Sequence, residues 1–169
     1  MGKSLERLEK VVRGELPPPP VAMLIGFRLT SIKSGEAIIE LEANKSHANP
    51  LGTLHGGVLC DIADAAMGLA FASTLDDDES FTTIELKINF LRPVKLLPSA
   101  SPPLPPSPPS SVLPESSVPK SKLRAIGKIV KRGRTIGLTE CDVLNSDGDL
   151  VARASSTCLV LRGEQARDR

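Results

Sequence analysis

Apolar and polar positions along the chain follow two different periods. Residues 3–13 place Leu5, Leu8 and Val12 at helical spacing among charges, which predicts a short amphipathic helix ended by Gly14. Pro17 to Pro20 predict a stiff extended spacer. Residues 21–32 and 36–43 read as two strands joined by the turn Lys33-Ser34-Gly35. In the second, Ala37, Ile39 and Leu41 alternate with Ile38, Glu40 and Glu42, the mark of a half-buried strand. After a loop over 44–54, the run from Gly56 to about Thr74 is apolar on every side except for Asp61 and Asp64, so a long buried helix is expected there. Asp76-Asp77-Asp78-Glu79 reads as a solvated acidic turn.

Residues 80–92 alternate strictly. Thr82, Ile84, Leu86, Ile88 and Phe90 form the face expected to cover the helix, and Thr83, Glu85, Lys87 and Asn89 the polar face; Pro93 stops the ladder. Three further strands are expected at 122–131, 134–145 and 149–161, with turns at Lys131-Arg132-Gly133-Arg134 and Asn145-Ser146-Asp147-Gly148. Residues 163–169 form a polar tail. The plan is α+β: an antiparallel sheet with one buried helix. Residues 1–20 form a helix and spacer, and 21–162 a single domain. Residues 96–121 interrupt that domain with nine prolines in 26 positions; such a stretch buries too little apolar surface to offset its ordering entropy, so a disordered insertion is expected. A docking motif for a proline-binding partner and a shifted reading frame are the other readings of this stretch.

Composition narrows the function classes. A chain of 169 residues, 40% hydrophobic and 24% charged, fits one soluble domain with a real core. A net charge of +1 gives no broad electrostatic case for nucleic acid or a membrane surface, and 2% aromatics, with no Trp or Tyr, gives no base-stacking platform. Cys60, Cys141 and Cys158 lack metal-ligand spacing and read as free thiols of a reducing compartment. Charges stand where a signal peptide would carry its apolar run, and the apolar helix is too short to span a bilayer. A cytoplasmic protein is expected.

The candidate chemistry lies around the helix start. His55-Gly56-Gly57 places unshielded N–H groups where a helix begins, and these could hold an oxygen that gains negative charge. Asp61 and Asp64 sit three residues apart on neighbouring parts of one helical surface, where a carboxylate could attack or activate water. The combination fits acyl transfer to water. The alternatives are structural: His55 as a cap, Asp61 as an early-turn acid complementing the helix dipole, and Asp64 as a surface acid.

The pattern Asn49-x-x-Gly52-x-x-His55-Gly56-Gly57, with an acid nine residues after the histidine, resembles the hotdog-fold acyl-CoA thioesterases of the phenylacetic-acid-degradation type. The run from Thr83 to Pro93 and the segment Lys131-Arg132-Gly133-Arg134-Thr135 followed by Asp147-Gly148 resemble them too. The resemblance implies a sheet wrapped around a long helix, a homodimer or homotetramer with active sites at the dimer interface, and hydrolysis of acyl-CoA with no cofactor beyond the coenzyme A of the substrate. It assigns Asp64 as base or nucleophile, the N–H of Gly56 or Gly57 to the thioester carbonyl, Asn49 to the water or the carboxylate, and His55 to the carbonyl or leaving thiol. It assigns Thr83, supplied by the partner subunit, to position water. Asp61 is the second acid, on the substrate side. Leu59 and Met67 are expected to line the acyl pocket, and Arg92, Lys131, Arg132 and Arg134 to receive the coenzyme phosphates. An acyl-CoA sensor is the non-enzymatic alternative. A hydratase or dehydratase is a lesser one, because the Gly-Asp-x-Asn-Pro setting of those enzymes is absent.

Overall fold

The computed structural model describes residues 2–96 and 121–167. The proline-rich stretch between Leu96 and Ser121 lies outside them, so the expectation of a disordered insertion lies outside the described residues.

Helix α1 (Lys3–Val12) turns Leu5 inward and is followed by the proline spacer. The next element differs from expectation: Pro20–Ile25 is a short helix, α2, rather than the start of a strand. A proline in its first turn has the required φ and no N–H to waste, and Gly26 closes the helix at φ +87°. Strands β1 (Phe27–Lys33) and β2 (Glu36–Glu42) then form the expected hairpin, turned by Gly35 at φ +79°. A loop holding one 3-10 turn, Lys45–His47, leads to α3 (Gly56–Ala72). Strands β3 (Glu79–Phe90), β4 (Lys122–Arg132), β5 (Ile136–Asn145) and β6 (Leu150–Arg162) follow, and a last turn of helix, α4 (Glu164–Arg167), lies in the polar tail.

The six strands form one antiparallel sheet in the order β1-β2-β4-β5-β6-β3. It wraps α3, whose Leu59, Ile62, Ala63, Ala66, Met67, Ala70 and Phe71 are buried. Ile39, Leu41, Leu123, Ala125, Val143 and Ala154 meet them from the sheet. Close approach depends on one glycine: a Cβ on Gly127 of β4 would lie 2.3 Å from the Ala66 carbonyl carbon. Helix backbone and strand backbone therefore touch with no side chain between them.

Strand β3 corrects the expected alternation. A bulge between Thr83 and Glu85 shifts its register on β6 and reverses the inward parity. Phe81 packs against Phe71, and Thr83 faces the helix, before the bulge; Leu86 and Ile88 pack inward after it, and Ile84 is 53% exposed. Among the described residues no helix is long and apolar enough to cross a membrane.

Asp76, Asp77 and Asp78 of the acidic turn are exposed, as expected, and Glu79 departs from that expectation. Asp77 receives the Lys3 backbone N–H and its ammonium group, and Glu79 is buried between Arg132 and Arg162. Burial disfavours the ionised Glu79, but the Asp76 N–H and the two guanidinium groups outweigh it and hold the carboxyl below its ordinary range.

Candidate active site

The loop before α3 is built from side chains that bond their own backbone. The Asn49 carbonyl oxygen accepts from Leu51 N at 2.9 Å and Thr53 N at 3.2 Å, while its amide donates to Thr53 Oγ1 and the Leu54 carbonyl. Asn49 thus braces its own loop, a task different from the expected hold on water or carboxylate. His47 does the same one turn earlier: its Nδ1 accepts from Asn44 N and its Nε2 meets the Ile25 carbonyl at 2.9 Å, tying α2 to the loop. That residue was not among the sequence candidates, although an Asn three positions before a polar residue is a capping signature.

The braced loop delivers His55 as the N-cap of α3. Its backbone N–H donates to the His47 carbonyl at 2.9 Å, and its Nδ1 accepts the Gly57 N–H at 2.9 Å. A nitrogen that accepts carries no proton, so the neutral ring holds its proton on Nε2. This decides between the two glycines: Gly57 N–H is taken, Val58 N–H bonds the His55 carbonyl, and Gly56 N–H has no acceptor among the described residues. Gly56 is therefore the donor left for a ligand oxygen. The ring of Phe90 closes over it, with Cζ 3.0 Å from where a Gly56 Cβ would stand. Phe90 was assigned only to the helix-facing side of its strand; its contact with Gly56 depends on the arrival of β3 at the helix start.

Two turns along α3 the half-buried Asp64 accepts a hydrogen bond from Thr83 Oγ1 at 3.1 Å, within the same chain. The expected assignment of Thr83 to the far side of the interface from Asp64 is therefore corrected: the two belong together. The bulge explains why, because it turns Thr83 toward the helix. Behind them Thr139, Ser156 and Cys158 are fully buried on β5 and β6. Burial raises the Cys158 thiol above its ordinary value.

The remaining candidates separate. Asp61 is exposed on the outer face of α3. Leu59 (4% exposed) and Met67 (0%) are residues of α3 buried in the core, which corrects their assignment to the acyl pocket. Arg132 is also corrected: it pairs with buried Glu79 and its guanidinium lies 5.0 Å over the Phe71 ring, so it is structural. Lys131 and Arg134 are exposed at that same turn, beside the C-terminal end of α3. Arg92 lies at the opposite end, in a cleft it shares with Lys95, Asp147 and Asp149. Among the described residues no group of three His, Cys, Asp or Glu could hold a metal ion.

The Thioesterase superfamily model matches residues 51–96, the stretch from the braced loop through α3 and β3. A putative esterase of Saccharolobus solfataricus is 27% identical over 82% of this chain and 81% of its own length. Acyl-coenzyme A thioesterase 13 of Homo sapiens is 23% identical over 93% and 96%. Among solved structures, a putative thioesterase from Ralstonia eutropha, described as a phenylacetic acid degradation-related protein, matches with a TM-score of 0.69 and 26% identity, over 90% of this chain and 98% of that one. A hypothetical thioesterase from Streptococcus pneumoniae solved with coenzyme A gives 0.62 and 23%, over 80% and 86%, and shares the fold.

Proposed function

The chain is a hotdog-fold member of the thioesterase superfamily, and we propose that it hydrolyses acyl-CoA thioesters to a carboxylic acid and coenzyme A. The observation that carries this reading is the division of labour along α3: an unshared N–H at Gly56 and a carboxylate at Asp64 held by Thr83. The Gly56 N–H takes the thioester oxygen, where charge grows as the tetrahedral centre forms. Asp64 removes a proton from water as the water oxygen bonds the acyl carbon. Collapse breaks the C–S bond, and the thiolate recovers from Asp64 the proton that water gave up. The sp³ centre never needs a metal or a redox partner. The alternative in which Asp64 itself attacks passes through a mixed anhydride that water then opens.

Helix geometry sets a condition on this chemistry. Eight residues separate Gly56 from Asp64, about 12 Å along one axis. One carbonyl cannot touch both. Convergence requires two chains, with Gly56 and His55 from one protomer facing Asp64 and Thr83 from the other. We assign the active protein as such a dimer. β3 supplies a fitting edge: it ends the sheet and exposes Ile84, Phe90 and Leu91 by about half. Arg92, two residues past the Phe90 ring that meets Gly56, is our candidate to receive a coenzyme phosphate. A medium-chain or aromatic acyl group fits the family, and the cytoplasm fits coenzyme A as substrate.

Thiol release from a panel of acyl-CoAs tests the reading. Asp64→Asn should lower kcat on the best substrate by about 10²–10⁴. A panel in which the wild type releases no thiol, yet binds an acyl-CoA tightly, would instead make this an acyl-CoA sensor.

A further inference from the structure

Away from Gly56 and Asp64, a cavity of about 490 Å³ lies between α1, the proline spacer, β1 and the last turns of α3. Its walls are apolar: Leu8, Val11 and Leu16 from the N-terminal segment, Phe27 and Leu29 from β1, Leu69 from α3. The volume falls in the range of sites that hold a small molecule. Two polar residues complete the lining, Ser4 and Arg7, one helical turn apart on α1. The charge pattern of that helix sets Arg7 apart. Lys3 pairs with Asp77, Lys10 with Glu6 and Arg13 with Glu15, but Arg7 has no carboxylate partner among the described residues.

We propose that this cavity is a second ligand site, for an aliphatic carboxylate: the hydrocarbon tail packs among Leu8, Val11, Phe27 and Leu69, and the carboxylate sits on Arg7 with the Ser4 hydroxyl beside it. The apolar interior asks for a chain, and the unpaired guanidinium asks for an anion at one end of it. An acyl-CoA does not fit both requirements, because its acyl end carries no charge. The site stands on the outer flank of α3, five residues or more past Asp64, and its occupancy requires no turnover.

Fluorescence of cis-parinaric acid, displaced by myristic acid or by the uncharged myristyl alcohol, tests the assignment on the full-length protein. The wild type and Asp64→Asn should bind the probe alike. Arg7→Gln should weaken myristic acid by roughly three- to tenfold, the range for a charged hydrogen bond partly open to water, and leave the alcohol unchanged. Ala72→Phe, which fills the cavity from the end of α3, should abolish displacement by both. Should Ala72→Phe fail to fold by circular dichroism, Val11→Trp fills the same space from the opposite wall. Equal weakening of acid and alcohol by Arg7→Gln, no probe binding to the wild type, or displacement of the probe by a non-hydrolysable acyl-CoA thioether would each overturn the proposal. Hydrolysis plays no part in these measurements, so a failed thioesterase assay leaves them decisive.

Discussion

At the scale of single residues, Asp64 works only as well as Thr83 holds it. A hydroxyl donating to Oδ1 fixes the carboxylate rotamer and leaves Oδ2 for water. Thr83→Val keeps the shape and removes the donor. Its expected cost is about tenfold in kcat, smaller than that of Asp64→Asn because the base survives but is less well aimed. Thiol chemistry provides a second check. Burial pushes Cys141 up to about 12 and raises Cys158 as well, and both are fully enclosed. Cys60 is the partly open one. A disulfide reagent at neutral pH should therefore titrate one thiol in the folded protein and three in denaturant. Glu79 provides the pH dependence. Its folded pKa lies below the ordinary 4.5, so its stabilisation is complete above that value and disappears as pH falls through the folded pKa. Glu79→Gln should lower the thermal midpoint at pH 7 and flatten its fall on acidification.

At the scale of elements, the long helix and most of the strands were legible because each has one dominant period. A run of seventeen residues broken only by the acids Asp61 and Asp64 admits few structures besides a buried helix. Alternation at 36–42 and turn glycines at 35 and 148 located their hairpins. Three features did not show. Val21 to Ile25 is apolar enough to pass for a strand, and only the proline before it and the glycine after it favour a helix. The bulge in β3 leaves an alternating sequence unaltered, because it resides in hydrogen bonds to β6. It was this that hid the pairing of Thr83 with Asp64. The role of Arg132 was hidden likewise, since a cation in a turn looks the same whether it meets solvent or a buried glutamate 53 residues away. The helix–sheet contact at Gly127 makes the packing testable. A Cβ there would stand 2.3 Å from the Ala66 carbonyl oxygen, and a backbone cannot swing aside as a side chain can. Gly127→Ala should cost about 3 kcal/mol or more in urea unfolding, at the upper end for one added methyl group.

At the scale of the whole molecule, the question is how Gly56 and Asp64 come to serve one carbonyl. The resemblance already implied a dimer with its active sites at the interface, but it set Thr83 across that interface from Asp64, because the bulge that joins the two in one chain leaves no mark in the sequence. Subunit mixing decides it. Gly56→Pro removes the N–H that is free at this helix start among the described residues; a first-turn proline is favoured, His55 already has the extended backbone (ψ 134°) that a following proline requires, and the half-exposed Phe90 ring, 3.0 Å from the added Cβ, must swing outward to admit it. This variant and Asp64→Asn should each be inactive alone. If Gly56 of one protomer faces Asp64 of the other, mixed dimers hold one intact site and one doubly damaged site. Unfolding and refolding the two variants together should then recover about a quarter of wild-type activity in a symmetric dimer. Mixing Asp64→Asn with Thr83→Val should recover nothing beyond the Thr83→Val contribution, because those residues travel on the same chain. Recovery from the second mixture would place Asp64 and Thr83 in different subunits, and silence from the first would place the whole site in one.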